Sequence, residues 1–253
     1  MSNRNWQRSA LILSLIETSS SHKMVTCLLP EGEGSILLNA TLFGGAKNKM
    51  SSVLLPYYTG NLWVYTNPIK EAHKVVDFEA TKMRFNIRES LYRIWAASFA
   101  SEMCVKLKGC VPWFLVNAFL DGINVSNEGE CKTGVLRFIW RLASFSGLAP
   151  SHFFCDVCNK KHFEALYFDH KSNTFLCEDC CKNKNTLSFL PKEALEYLYM
   201  VSFAKPKEAR RFELSNEAFS TLRLFLFRFA KEMAYSELYS FSPKNPIYSA
   251  IQI

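Results

Sequence analysis

The 253-residue chain reads as an α+β protein: a small β-barrel, then a helical bundle interrupted by a compact cysteine-rich module. Three observations lead there. Residues 1–80 hold short apolar runs broken by turn residues. From residue 81 the apolar period lengthens to that of helices. Residues 151–184 then carry two Cys-x-x-Cys pairs. At 49% hydrophobic and 21% charged residues the composition is globular, and the length supports a real core. The expected division is therefore a barrel at 1–80, a helical domain at 81–150 and 185–253, and an inserted module at 151–184.

The expected strands are Ala10 to Ile16, Met24 to Leu29, Ser35 to Leu42, Val53 to Tyr58, Leu62 to Tyr65 and Lys74 to Phe78. Ser19-Ser20-Ser21, Pro30 to Gly34, Gly44-Gly45, Gly60-Asn61 and Asn67-Pro68 separate them as turn signals. Five or six short strands in so few residues favour a closed barrel, because closure removes exposed edges. An SH3-like barrel would show the same pattern.

Asn86 followed by Glu89 resembles a helix-opening capping box. Ile87, Leu91, Ile94, Trp95, Ser98 and Met103 then fall on one helical face. Pro112 opens a second helix, Trp113 to Leu120, which Asp121-Gly122 should end. A third is expected from Gly134 to Phe145 with Gly147 as its stop. Lys192 to Phe203 and Asn216 to Tyr235 follow, the second capped by Ser215.

Several function classes lack support. Nine cysteines are an odd number, unevenly spaced, which favours a reducing compartment over a disulfide framework. The early run Ala10 to Ile16 is short, meets Glu17 and has no small-residue cleavage site after it. No stretch approaches the ~18 apolar residues of a membrane span, so a soluble cytoplasmic chain is expected. Glycine-rich dinucleotide and phosphate loops, Gly-x-Ser-x-Gly and His-Glu-x-x-His are all absent from the sequence, and no catalytic activity is expected. The formal charge is +7, of which residues 81–150 contribute 9 basic against 5 acidic groups. Such an excess suits an anionic partner without naming it.

Cys155-Asp156-Val157-Cys158, 18 further residues and Cys177-Glu178-Asp179-Cys180 form the most specific motif. Two such pairs at this separation fit a tetrahedral zinc site, each pair making a tight knuckle and the intervening residues a short hairpin. Thiolates suit zinc, and four protein ligands leave no position open for a reacting water. One structural zinc per chain is expected. Four ordinary core cysteines form the competing reading, and adjacent Cys181 is an alternative to Cys180. Cys27, Cys104, Cys110 and Cys131 read as packing residues.

The second motif is Gly44-Gly45-Ala46-Lys47-Asn48-Lys49-Met50-Ser51-Ser52. A glycine-bearing loop between strands can present the ammonium groups of Lys47 and Lys49 to a phosphate backbone, with Arg4 and Arg8 completing a basic patch. A solvated hairpin would look the same. Tyr57, Tyr58, Trp63 and Tyr65 can stack nucleobases, although aromatics at alternating strand positions commonly form core.

These residues together resemble the RecO family of recombination mediators. Trp6-Gln7-Arg8-Ser9-Ala10-Leu11-Ile12-Leu13 resembles the family's first barrel strand. Gly45-Ala46-Lys47-Asn48-Lys49-Met50-Ser51 falls where the family has a Gly-Ala-basic-x-basic-x-Ser loop, and Leu55-Pro56-Tyr57 follows in place. Arg137-Phe138-Ile139-Trp140-Arg141-Leu142 and Gly147-Leu148-Ala149-Pro150 resemble its Arg-Phe-Glu-Leu helix and Gly-x-x-Pro exit, with the four cysteines next. The basic loop is lean, with two lysines where some relatives have three basic groups.

The resemblance implies an N-terminal OB-fold barrel, a helical bundle domain and an inserted four-Cys zinc module. It further implies binding of single- and double-stranded DNA, strand annealing, association with RecR, and loading of RecA onto DNA coated with single-strand-binding protein (SSB). Arg137 and Arg141, one helical turn apart, are candidate hosts for the acidic C-terminal tail of SSB. No membrane role and a nucleoid-associated cytoplasmic location are implied with it. The rival expectation is a zinc-containing protein-interaction scaffold with little DNA affinity.

Overall fold

The computed structural model describes residues 4–44, 49–161, 164–182, 184 and 187–251, without the side chains of residues 49, 206 and 207. The described chain forms two compact units, Met1–Asn127 with Ser242–Ile253, and Glu128–Phe241. Its strands are β1 (Asn5–Ser19), β2 (His22–Glu31), β3 (Gly34–Phe43), β4 (Thr59–Asn67), β5 (Ala72–Lys82), β6 (Ala165–Asp169), β7 (Thr174–Leu176) and β8 (Leu187–Pro191). The helices are α1 (Leu91–Lys106), α2 (Trp113–Ile123), α3 (Glu128–Phe145), α4 (Glu178–Cys181), α5 (Lys192–Phe203), α6 (Pro206–Ala209), α7 (Asn216–Ala234) and α8 (Pro246–Ile251).

In the first unit β1–β5 close a barrel in the order β1-β2-β3-β5-β4. Neighbours run antiparallel except β3 and β5, which meet in parallel at Thr41 and Lys74. That order is the OB-fold, which sets aside the SH3-like alternative. Alternation fills the barrel: Ala10, Ile12, Val25, Cys27, Leu62 and Val64 point inward and are buried. At Gly60 an added Cβ would lie 2.1 Å from the Glu79 carbonyl, so only glycine allows β4 to approach β5 there.

The expected strand Val53 to Tyr58 is instead a turn after a 3-10 segment at Lys49–Ser52. Pro56 cannot donate to a ladder, and Tyr57 takes the left-handed conformation at φ +73°. The run is apolar because Leu54 and Tyr58 enter the barrel core. The expected capping box at Asn86 also differs: Phe85–Glu89 is a 3-10 turn, and α1 begins at Leu91 behind Ser90. The Asn86 carbonyl accepts from the Arg93 guanidinium at 3.1 Å, which holds that turn.

Arg84 links the barrel to α2, with its side chain only 1% exposed. It donates to the Tyr57 carbonyl (2.6 Å), Thr59 Oγ1 (3.0 Å), Asn117 Oδ1 (2.9 Å) and Asp121 Oδ1 (2.7 Å). Burial works against its charge and Asp121 offsets that cost. Ser35 Oγ on β3 donates to the Gly109 and Val111 carbonyls at 2.9 and 2.6 Å. An added Cβ at Gly109 (φ +83°) would lie 2.5 Å from the Leu37 nitrogen. These ties hold α1 and α2 to the barrel and α8 packs on α1, whereas the sequence pattern assigns all helices to one domain. Helix α2 also runs through Gly122 to Ile123.

The second unit packs α3, α5 and α7 with the sheet β7-β6-β8. Helix α3 starts at Glu128, ahead of the expected Gly134, with Glu128 and Glu130 favouring its first turn. Gly147 follows it at φ +69°. Helix α5 has the expected bounds, and Ser215 Oγ accepts from the Ala218 N–H at 3.2 Å to cap α7. Trp140 anchors the core against Phe153, Phe225 and Phe229, and its Nε1 donates to Ser202 Oγ at 2.8 Å.

Candidate metal centre and nucleic-acid interface

The first cysteine pair lies on the turn before β6, and the second opens α4 just after β7. Strands β6 and β7 form the intervening hairpin, with Phe168 opposite Phe175. Asp156 fastens the first knuckle to it: its N–H donates to the Phe175 carbonyl, and its Oδ2 accepts from the Phe175 N–H, both at 2.9 Å. The Sγ atoms of Cys155, Cys158, Cys177 and Cys180 all lie within 4.8 Å of one another.

All four thiols are free, and Cys158 Sγ is 3.7 Å from Cys177 Sγ. Zn–S bonds of about 2.3 Å place tetrahedral corners about 3.8 Å apart, so the donor set fits a metal of that kind. Burial disfavours the Cys155 thiolate, yet the N–H groups of Cys158, Cys177 and Val157 outweigh it and lower its pKa to about 6. Contact with Cys177, then burial and Cys155, push Cys180 up to about 12. A bound cation would relieve this crowding of sulfurs. Cys181 stands apart from the set, its Sγ donating to the Glu178 carbonyl at 3.2 Å, which favours Cys180 as the fourth ligand.

Among the other cysteines, Cys27, Cys104 and Cys131 are buried as packing residues, and burial raises Cys27 and Cys104 to about 12. Cys110 is exposed, contrary to its apolar flanks, because it sits in the turn after α1.

The four basic residues assigned to DNA are only partly described. Lys47 and the side chain of Lys49 lie outside the described residues. Arg4 is exposed at the start of β1, and its carbonyl accepts from the Thr66 N–H at 2.7 Å. Arg8 is half-buried on β1 and donates to the Pro30 carbonyl on β2. The four tyrosine and tryptophan candidates separate by direction. Tyr58 is core, and Tyr57 hydrogen-bonds Ser98 at 3.1 Å. Trp63 and Tyr65 alternate with buried Leu62 and Val64, so they face outward.

Arg137 and Arg141 lie on α3 against α5. Arg137 donates to the Tyr197 hydroxyl at 3.2 Å, and Arg141 donates to the Val201 carbonyl at 3.4 Å. Burial, Arg137 and Arg210 all lower the Arg141 pKa. Among the described residues neither α3 arginine is in an ion pair. Arg210 was not legible as part of this group, because only the fold brings the turn after α6 within electrostatic reach of Arg141.

A polar chain that no sequence motif signals lies near the hairpin. His170 Nδ1 is 2.7 Å from Glu232 Oε2, and its Nε2 is 2.7 Å from Ser188 Oγ. Phe168, Phe225 and Phe229 enclose the imidazole, whose side chain is 3% exposed. These contacts fasten β8 and the hairpin to α7.

An OB-fold barrel, and a helical unit that carries a four-thiol cluster able to hold a metal ion, define the class of the protein. The family described as Recombination protein O C terminal matches residues 112–238. DNA repair protein RecO of Caldanaerobacter subterraneus subsp. tengcongensis is 23% identical over 207 residues, covering 80% of this chain and 82% of that relative. The chain belongs to the RecO family of DNA repair and recombination proteins. No described helix is long and apolar enough to cross a membrane.

Proposed function

We propose that this protein is a recombination mediator that works without covalent chemistry. It binds single- and double-stranded DNA and anneals complementary strands. With RecR, it helps load RecA onto DNA coated with SSB, in association with the nucleoid. The observation that carries this reading is the OB-fold barrel in a chain whose residues 112–238 match the RecO family. Annealing requires two phosphate chains to approach, and bound cationic side chains reduce their repulsion.

The basic patch for this task is Lys47, Lys49, Arg4 and Arg8, on the barrel. One zinc per chain, held by Cys155, Cys158, Cys177 and Cys180, fixes the knuckles and supplies folding energy rather than catalysis. Arg137 and Arg141 hold the carboxylates of the SSB tail. Support comes from their mutual repulsion with Arg210 and their lack of an acidic partner among the described residues.

Single-stranded DNA titrated at several salt concentrations tests the reading. Lys47→Ala with Lys49→Ala should lower the log–log salt slope by about 2 units, because two counterion-releasing contacts vanish. An unchanged slope would move the phosphate contacts off this loop. Arg137→Ala should weaken binding of an SSB-tail peptide, and equal affinity would remove that residue from the site.

A further inference from the structure

The four sulfurs of the metal centre are unequally shielded. Cys155 and Cys177 are buried, Cys180 is half-buried, and Cys158 is the exposed member of the set. Cys158 closes the first knuckle, and the Lys160 N–H bonds its sulfur. Such a donor favours the thiolate, the form that attacks an oxidant. Cys158 Sγ lies 3.7 Å from Cys177 Sγ, and Cys177 opens the second knuckle. The reachable sulfur of one knuckle therefore faces a shielded sulfur of the other. Cys181 is held out of this arrangement by its bond to the Glu178 carbonyl at 3.2 Å.

Contacts that involve no sulfur keep the two knuckles side by side. Asp156, between Cys155 and Cys158, exchanges two hydrogen bonds of 2.9 Å with the backbone of Phe175, two residues before Cys177. Phe175 is paired with Phe168 across the hairpin, and its ring stacks on Phe153 at 5.4 Å. Tyr167 and Leu187 pack against the cluster formed by Cys155, Leu176, Cys177 and Cys181. Sulfurs held by such a frame stay neighbours when the ion between them leaves, so a bond between them is favoured over separation of the knuckles.

We propose that Cys158 is a site of oxidation by hydrogen peroxide, and that its disulfide with Cys177 replaces the metal in a reversible switch. This rests on the zinc reading above and extends it. The Cys158 thiolate attacks the peroxide; the O–O bond breaks, one oxygen stays on sulfur as a sulfenic acid, and the other leaves as hydroxide and takes a proton. The Cys177 thiolate then attacks that sulfur, the S–O bond breaks, and a second hydroxide leaves and is protonated. Two thiolates, one peroxide and two protons give one disulfide and two waters, the two electrons lost by sulfur reducing the peroxide. Cys155 and Cys180 remain as two ligands where a closed zinc site needs four, so the ion dissociates. A thiol reductant reverses the bond by exchange.

The test uses the full zinc-loaded chain carrying Cys110→Ser, which removes the other exposed thiol. Hydrogen peroxide is added, released zinc is read with a chromogenic chelator, and the thiols are alkylated for peptide mapping. One zinc should leave and two thiols should vanish per chain, with a Cys158–Cys177 cross-link that dithiothreitol removes. Cys158→His keeps a ligand, since three cysteines and a histidine also hold zinc, and should release the ion several-fold more slowly. Cys181→Ser should release it at the unsubstituted rate. Release without a cross-link, a different cross-link, or equal release from Cys158→His would overturn the switch and leave the zinc reading standing. Slower release from Cys181→Ser would also overturn it, by making Cys181 a reacting sulfur. A chain isolated from zinc-supplemented medium without zinc would instead refute the zinc reading, and the map of that chain after peroxide would still test the Cys158–Cys177 pair.

Discussion

Asp169→Asn probes the support of the cysteine module, and its effect should depend on pH. Asp169 ends β6 with its side chain 4% exposed. Burial disfavours its charge, but the Lys184 ammonium at 2.5 Å, the Lys171 N–H at 3.0 Å and the Ser172 hydroxyl at 3.0 Å outweigh it. They hold the pKa down to about 2 from the ordinary 3.8. That gap, at about 1.4 kcal/mol per pH unit, corresponds to about 2 kcal/mol of stability. A depressed carboxylate pKa stabilises the fold above the unfolded value and stops doing so as pH falls through the folded one. The contribution should be full from pH 7 to 5, about half remaining near pH 3, and nearly absent by pH 2. Denaturant unfolding of both proteins across this range measures it. The variant should be about 2 kcal/mol less stable at pH 7, with the two curves converging in acid. A pH-independent difference, or none at pH 7, would refute the assignment of Asp169 as an ionised anchor.

Metal analysis should find one zinc per chain, and Cys177→Ser should abolish it and loosen proteolytic protection of the hairpin. Arg84→Met should destabilise the barrel unit by about 2 kcal/mol, because the Tyr57 carbonyl loses this donor while Asp121 keeps Lys82 and Asn117 keeps Thr59; thermal unfolding would show this. Burial lowers the His170 pKa below its ordinary 6.5, against the opposing pull of Glu232 and Asp169 and with some help from Arg228. The unfolded chain then takes the proton first, so stability should fall as pH drops below about 6.5 toward the folded value. His170→Gln should remove that part of the acid loss, and a stability titration with an unchanged slope would contradict it. Gly60→Ala should prevent barrel closure, visible as a loss of strand signal in circular dichroism, since its Cβ would collide with the Glu79 carbonyl.

Local signals with a direct chemical cause were legible in the sequence. The Cys-x-x-Cys pairs predict a hairpin between knuckles, and β6 and β7 form it. Ser215 predicts a cap and accepts the Ala218 N–H. Val53 to Tyr58 has the pattern of a strand but is a turn, because an apolar run shows burial without showing pairing: Leu54 and Tyr58 enter the core from it. Asn86 and Glu89 match a capping box in type and spacing, but Arg93 takes the Asn86 carbonyl and keeps the segment a 3-10 turn. Arg84 and the Ser188–His170–Glu232 chain left no trace in the sequence. Each is a set of long-range contacts among residues with no shared period or motif. Parity along β4 was readable, yet only the closed barrel distinguishes outward Trp63 and Tyr65 from inward Tyr58.

Annealing of complementary, fluorescently paired oligonucleotides coated with SSB, followed with and without this protein and in the absence of any nucleotide, tests the mediator account most directly. The account predicts faster duplex formation that scales with protein concentration, weakens as salt rises and slows in the Lys47→Ala/Lys49→Ala variant. Duplex formation at the same rate with and without the protein would contradict it.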